Sequence, residues 1–146
     1  MTSVRWLVLP LLLATACGPL VMIPGGALSG MPQEVPRDWS FTDGVDVVQL
    51  ETRPDDPYSV NVWTVAANDA LYVVAGTGAE SAWVQHIEAD PRVRLRVGDD
   101  LYDLRAVRAD DDAEVDAFLE AAMAKYDFEP EEGQREQAVL YRLVAR

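Results

Sequence analysis

The sequence predicts a mostly β domain with two helices, an α+β chain whose sheet curls around one dry interior. Three observations carry that reading. From about position 45 to the end, apolar and polar side chains alternate with the period of two that a half-buried strand requires. Two stretches, Glu80–Ala89 and Asp110 to about Tyr126, abandon that alternation for helical spacing. The 146 residues are 49% apolar and 25% charged, enough to bury one core and inconsistent with global disorder.

The elements follow in the order β-β-β-α-β-β-α-β, with no internal repeat. Val45–Thr52 reads as a strand and Arg53-Pro54-Asp55-Asp56-Pro57 as a turn by its composition. Tyr58–Val65 and Leu71–Ala75 are the next two strands, joined by Ala67-Asn68-Asp69. The first helix carries Trp83, Val84 and Ile87 on one face and stops at Asp90-Pro91, because the residue before proline is pushed out of helical geometry. Arg92–Val97 and Leu101–Arg108 form a hairpin turning at Gly98-Asp99-Asp100. Asp110–Asp112 opens the second helix, since carboxylates at its start suit the macrodipole. Its apolar stripe is Val115, Phe118, Leu119, Ala122, Met123 and Tyr126. Ala138–Val144 closes the chain as a strand. Trp39, Phe41, Trp63 and Trp83 are expected to pack.

The N-terminus is organised differently. Arg5 precedes the apolar run Trp6–Leu13, and Ala14-Thr15-Ala16 sets small residues before Cys17, the layout of an export signal. With a cysteine directly after the small residues, the stretch resembles a bacterial lipoprotein signal. That resemblance implies a signal peptide at 1–16, a lipidated Cys17 and a membrane anchor, on the outer membrane facing the periplasm where the host has two membranes. An uncleaved anchor over Trp6–Ile23 and plain cleaved secretion are the alternatives. Residues 17–37 are rich in Pro and Gly and read as a tether or an extended arm, on which Leu20–Ile23 and Leu28 are apolar enough to lie on the domain at 38–146.

Charge and composition exclude several functions. Twelve basic against twenty-five acidic residues give a net charge of −13, a surface that repels phosphate backbones, so no nucleic-acid partner is expected. One histidine and one cysteine leave no ordinary zinc constellation and no internal disulfide.

Two features have anion-binding chemistry within reach, each with a plainer reading beside it. The segment Gly76-Thr77-Gly78-Ala79-Glu80-Ser81 lies between a strand and a helix start. Its backbone N–H groups and the hydroxyls of Thr77 and Ser81 suit a phosphate, or else it is a tight turn with a hydroxyl cap. The hairpin carries five arginines and three acids, and a period of two puts Arg92, Arg94, Arg96, Asp103 and Arg105 on one face. That face either grips an anion or is solvated and paired with nearby carboxylates. His86 is the only imidazole and reads as a surface or capping residue.

The element order and one motif resemble a known family. Trp83-Val84-Gln85-His86-Ile87-Glu88-Ala89-Asp90-Pro91 resembles the W-x-x-N-L-x-A-x-P signature of deazaflavin-dependent nitroreductases within the pyridoxamine 5'-phosphate oxidase-like class, with His86 in place of Asn and Ile87 in place of Leu. The resemblance implies a six-stranded split β-barrel of the FMN-binding type, a homodimer, and FMN or a deazaflavin held near Gly76, Thr77, Gly78, Ser81 and Trp83. It also implies a substrate-side role for Tyr126, whose plainer fate is packing. In that class basic residues on the second strand help hold the cofactor phosphate, and Tyr58–Trp63 has none. The sequence therefore favours a non-catalytic module for a small ligand or protein. A flavin- or deazaflavin-dependent nitro or quinone reductase is the alternative.

Overall fold

The computed structural model describes residues 25–146; the signal-like residues 1–16, Cys17 and Leu20–Ile23 lie outside the described residues. Among the described residues there are seven strands: β1 (Met31–Gln33), β2 (Val47–Thr52), β3 (Tyr58–Ala67), β4 (Ala70–Ala75), β5 (Arg92–Val97), β6 (Asp100–Arg108) and β7 (Val139–Ala145). Helix α1 (Ala82–Ala89) follows β4, and α2 (Asp112–Tyr126) and the single turn α3 (Gln134–Gln137) lie between β6 and β7.

Strands β6-β5-β2-β3-β4-β7 pair antiparallel in that order, and β7 pairs back onto β6, closing a six-stranded barrel. Short sharp turns permit this. Between β3 and β4, Asn68 and Asp69 take φ of 48° and 60°, left-handed geometry that Asn and Asp tolerate. Gly98 (φ 59°) and Asp99 turn the hairpin, and Asp100 already belongs to β6.

Alternation fills the interior. Val93, Leu95 and Val97 of β5 are buried between outward arginines, and Leu50, Leu71, Val73, Leu104 and Tyr141 complete the same core. Helix α1 stops one end of the barrel with Trp83, Val84 and Ile87. Helix α2 packs outside it, Phe118 and Ala122 lying against Val65, Tyr72 and Leu140. The acidic run at its start is a cap: the Asp111 carboxylate accepts from the Ala113 and Glu114 amides at 3.1 Å. Met123, expected in the apolar stripe, is partly exposed at the helix rim.

The Pro/Gly-rich segment from residue 25 onward is an extended arm crossing the outer barrel wall. Gly25 exchanges backbone bonds with Ser59 of β3 (2.8 and 2.9 Å). The Leu28 amide donates to Glu51 of β2, and Arg94 and Arg96 of β5 donate to the Leu28 and Ser29 carbonyls. β1 then runs parallel to the first three residues of β6, on the edge that β7 takes up from Leu104. Leu28 is buried, and the arm also covers Leu101, which sits on the outward face.

Candidate functional site

The barrel wall opens between β3 and β4. The two strands pair only from Thr64–Ala67 to Ala70–Val73 and then part. The opening is a groove of about 640 Å³, walled by Asn61, Trp63 and Val65 of β3 and by Val74, Ala75 and the turn that follows β4. Phe118, Leu119, Ala122 and Tyr126 of α2 form the opposite wall, with Phe128, Pro130, Gln134 and Arg135 at its far end.

Of the residues expected to hold a cofactor, Gly76, Thr77, Ser81 and Trp83 all line this groove, and Tyr126 faces them from α2. Gly78 does not. Its φ is +72°, and a Cβ there would stand 2.6 Å from the Gln137 carbonyl, so it serves the close approach of α3. Thr77 and Ser81 share a hydrogen bond between their hydroxyls at 2.7 Å. Ser81 occupies the N-cap position of α1 without a side-chain capping bond, so neither hydroxyl caps the helix.

Trp63 corrects the expectation that it packs in the core. Counting along β3, Val60, Val62 and Thr64 point inward and Asn61, Trp63 and Val65 outward. Helix α2 covers Val65 and leaves Trp63 55% exposed. Its ring stacks on Tyr126, centroids 5.2 Å apart and planes at 22°. Phe41, also expected to pack, stacks on Trp39 and is half exposed, whereas Trp39 and Trp83 are buried.

The Tyr126 hydroxyl is committed to the backbone. It lies 2.7 Å from the Asp46 carbonyl and 2.8 Å from that of Thr64, and it accepts from the Thr64 amide at 3.3 Å. It thus sits where the β2–β3 ladder ends. Burial pushes the phenol above its ordinary value, so the residue offers the groove an aromatic face rather than a proton. Its neighbour Lys125, which sequence reasoning passed over, donates to the carbonyls of Thr42, Val45 and Thr64 at 2.8–2.9 Å. Those three bonds use every ammonium proton and pin the end of α2. A lysine in the last turn of a helix carries no signal of this in sequence.

The arginine face does not enter the groove. Arg94 forms two 2.7 Å bonds with buried Glu51, and Arg92 is paired with Asp90. Those bonds hold the Asp90 carboxyl down at about 2. Arg96 reaches the arm, and Arg105 has no ion pair among the described residues. Among the described residues, the one basic side chain that lines the groove, Arg135, is paired with Asp116 at 2.5 Å and Asp112 at 3.5 Å. His86 lies elsewhere, its Nδ1 3.0 Å from the Thr52 hydroxyl. Burial first, then the nearby Arg53 charge, lowers its pKa.

No curated protein matches this chain. Solved structures do, at identities that establish the fold alone. A conserved hypothetical protein from Mycobacterium tuberculosis, Rv2991, aligns at TM-score 0.60 and 18% identity, over 73% of this chain and 77% of its own. A putative pyridoxamine 5'-phosphate oxidase from Listeria innocua aligns at 0.57 and 17%, over 72% and 87%. A structure described as an F420 reductase aligns at 0.52 and 20%, over 77% and 96%. These place the barrel among the split β-barrels of the pyridoxamine 5'-phosphate oxidase-like kind. Within that fold, the chain belongs to the family described as "Uncharacterized protein conserved in bacteria (DUF2255)", which it matches over residues 42–138.

Proposed function

We propose that this protein is a non-catalytic binding module that takes an apolar, planar small molecule in the groove between α2 and the parting strands β3 and β4. The observation that carries the reading is the lining. Its walls are aliphatic and aromatic, the Trp63–Tyr126 stack offers a flat face, and the only basic side chain among the described lining residues is already held by two carboxylates. Ligand sites of this volume are commonly apolar with a few polar groups that fix orientation, here Asn61, Thr77, Ser81 and Gln134.

A flavin or deazaflavin would meet aromatic walls suited to its rings. Its phosphate would find the Thr77–Ser81 hydroxyl pair and no free cation among the described lining residues. The residues therefore suit the ring and not the phosphate. The proposal extends to the cell: export, lipidation at Cys17 and anchoring to a membrane would present this groove near the lipid phase.

Titration of the purified protein with 1,4-naphthoquinone and, separately, with FMN and a deazaflavin tests the reading. Naphthoquinone is expected to quench tryptophan fluorescence saturably, and Trp63→Ala to weaken that binding about tenfold, the loss of roughly 1.4 kcal/mol of stacking and burial. Neither flavin is expected to be retained. Stoichiometric retention of FMN or deazaflavin would favour the reductase alternative instead.

A further inference from the structure

The groove between α2 and β3 has an apolar floor and an acidic rim. Asp127 and Glu129 flank the lining residue Phe128, Glu131 follows Pro130, and Asp46 precedes Val47. All four carboxylates are exposed, and none has an ion pair among the described residues. Elsewhere the pattern is reversed: Glu51, Glu88, Asp90, Asp103 and Glu114 are each matched with an arginine.

Two cations do lie close, and neither offsets the rim. Arg135 is shared by Asp112 and Asp116, which leaves that group net negative. Lys125 gives its three protons to backbone carbonyls, and its charge is felt by Asp43 as well as Asp46. An apolar cleft focuses the field of charges at its mouth, because its walls screen less than water does. The floor also has a place for a positive charge. Trp63 stacks on Tyr126 and is still 55% exposed, so π surface of the indole stays open at the mouth. Such a face attracts a cation, as the Tyr126 ring already does with the Lys125 ammonium 5.3 Å from its centroid.

Resting on the groove as the binding site, we infer that its ligand is an aromatic organic cation. The planar body lies against the apolar walls, and the charge stays at the acidic mouth. A planar anion of the same size, a flavin phosphate included, is repelled by the same rim.

Equilibrium dialysis of the full chain against two probes of one outline tests the charge: 1-methylquinolinium, a cation, and 1-methylnaphthalene, its neutral counterpart. The cation is expected to bind about tenfold more tightly at low salt. That gap should close to within about threefold in about 1 M salt, where charges are screened beyond ~3 Å. Asp127→Asn/Glu129→Gln/Glu131→Gln is expected to weaken the cation about tenfold and the neutral probe by under about twofold. These positions are exposed, and asparagine suits the left-handed φ of 49° at Asp127, so the variant keeps the fold. Asp55→Asn/Asp69→Asn/Asp110→Asn removes the same charge from positions that adjoin no lining residue, and should change both affinities by under about twofold. Equal weakening of the cation by the two triple variants overturns the inference, since net charge and not the rim would then act. A neutral probe bound as tightly as the cation at low salt also overturns it, and leaves the groove as an apolar site. Binding of neither probe, nor of naphthoquinone, removes the groove reading itself and this inference with it.

Discussion

Lys125 and Trp63 show how little a single position reveals before its neighbours are known. Lys125 bridges three carbonyls from the loop before β2 and from β3, at 2.8–2.9 Å. Partial burial lowers its pKa. Lys125→Met keeps the length of the side chain and strands three acceptors. It is expected to cost about 2–3 kcal/mol, read as a fall in the urea midpoint at unchanged slope. A midpoint within error of the unmodified protein would show those carbonyls to be solvated. Trp63→Ala, by contrast, is expected to change stability by under about 1 kcal/mol, since a half-exposed ring has little burial to lose. Strand parity makes Trp63 outward, and parity was legible in Tyr58–Val65. That α2 would bury Val65 and meet Trp63 only with the ring of its last residue, Tyr126, was not, because it depends on where the helix crosses the sheet.

At the scale of elements, the order of strands and helices along the chain, the start of α2 and the end of α1 were legible because each rests on local chemistry: the acidic run Asp110–Asp112 at a helix start, Pro91 as a stop, Gly98 at a turn. The ion pair that locks the arm was not. Glu51 lies on β2, 43 residues before Arg94, and reads in sequence as one polar residue of an alternating strand. In the fold its carboxylate is buried and takes two bonds from Arg94 and one from the Leu28 amide. Arg94→Met alone leaves that carboxylate without its cation and is expected to cost about 3 kcal/mol, whereas Arg94→Met with Glu51→Gln should cost clearly less. Thermal unfolding of both checks this, and equal losses would mean that water reaches Glu51. The helices are laced to the barrel by phenols. Tyr141 donates to Glu88 of α1, and Tyr72 donates to Glu114 of α2 at 2.9 Å. Burial, and then the acceptor carboxylate, push both from 10.0 up to about 12. A raised phenol favours the protonated folded state, so its contribution is whole below pH 10 and disappears as pH climbs to 12. Melting temperature should fall steeply across that window, and Tyr72→Phe/Tyr141→Phe should flatten the fall.

For the whole molecule, charge and anchorage act together. Removing residues 1–16 takes away only Arg5, leaving 11 basic and 25 acidic residues, so the proposed exported part carries 11 − 25 = −14. An anionic lipid surface repels such a body, and attachment then depends on hydrophobic insertion, about 0.8 kcal/mol per buried methylene. The arm is pinned from Gly25, so seven residues, eight steps along the chain, separate it from Cys17, and a lipidated Cys17 would hold the barrel within about 28 Å of the bilayer at full extension. Lipidation therefore predicts more than labelling. A fatty-acid probe should mark the unmodified protein and not Cys17→Ser, and Cys17→Ser should leave the membrane fraction without added salt, because no attraction of charge holds it there. Unlabelled protein that stays with the membrane would indicate instead the uncleaved anchor over Trp6–Ile23.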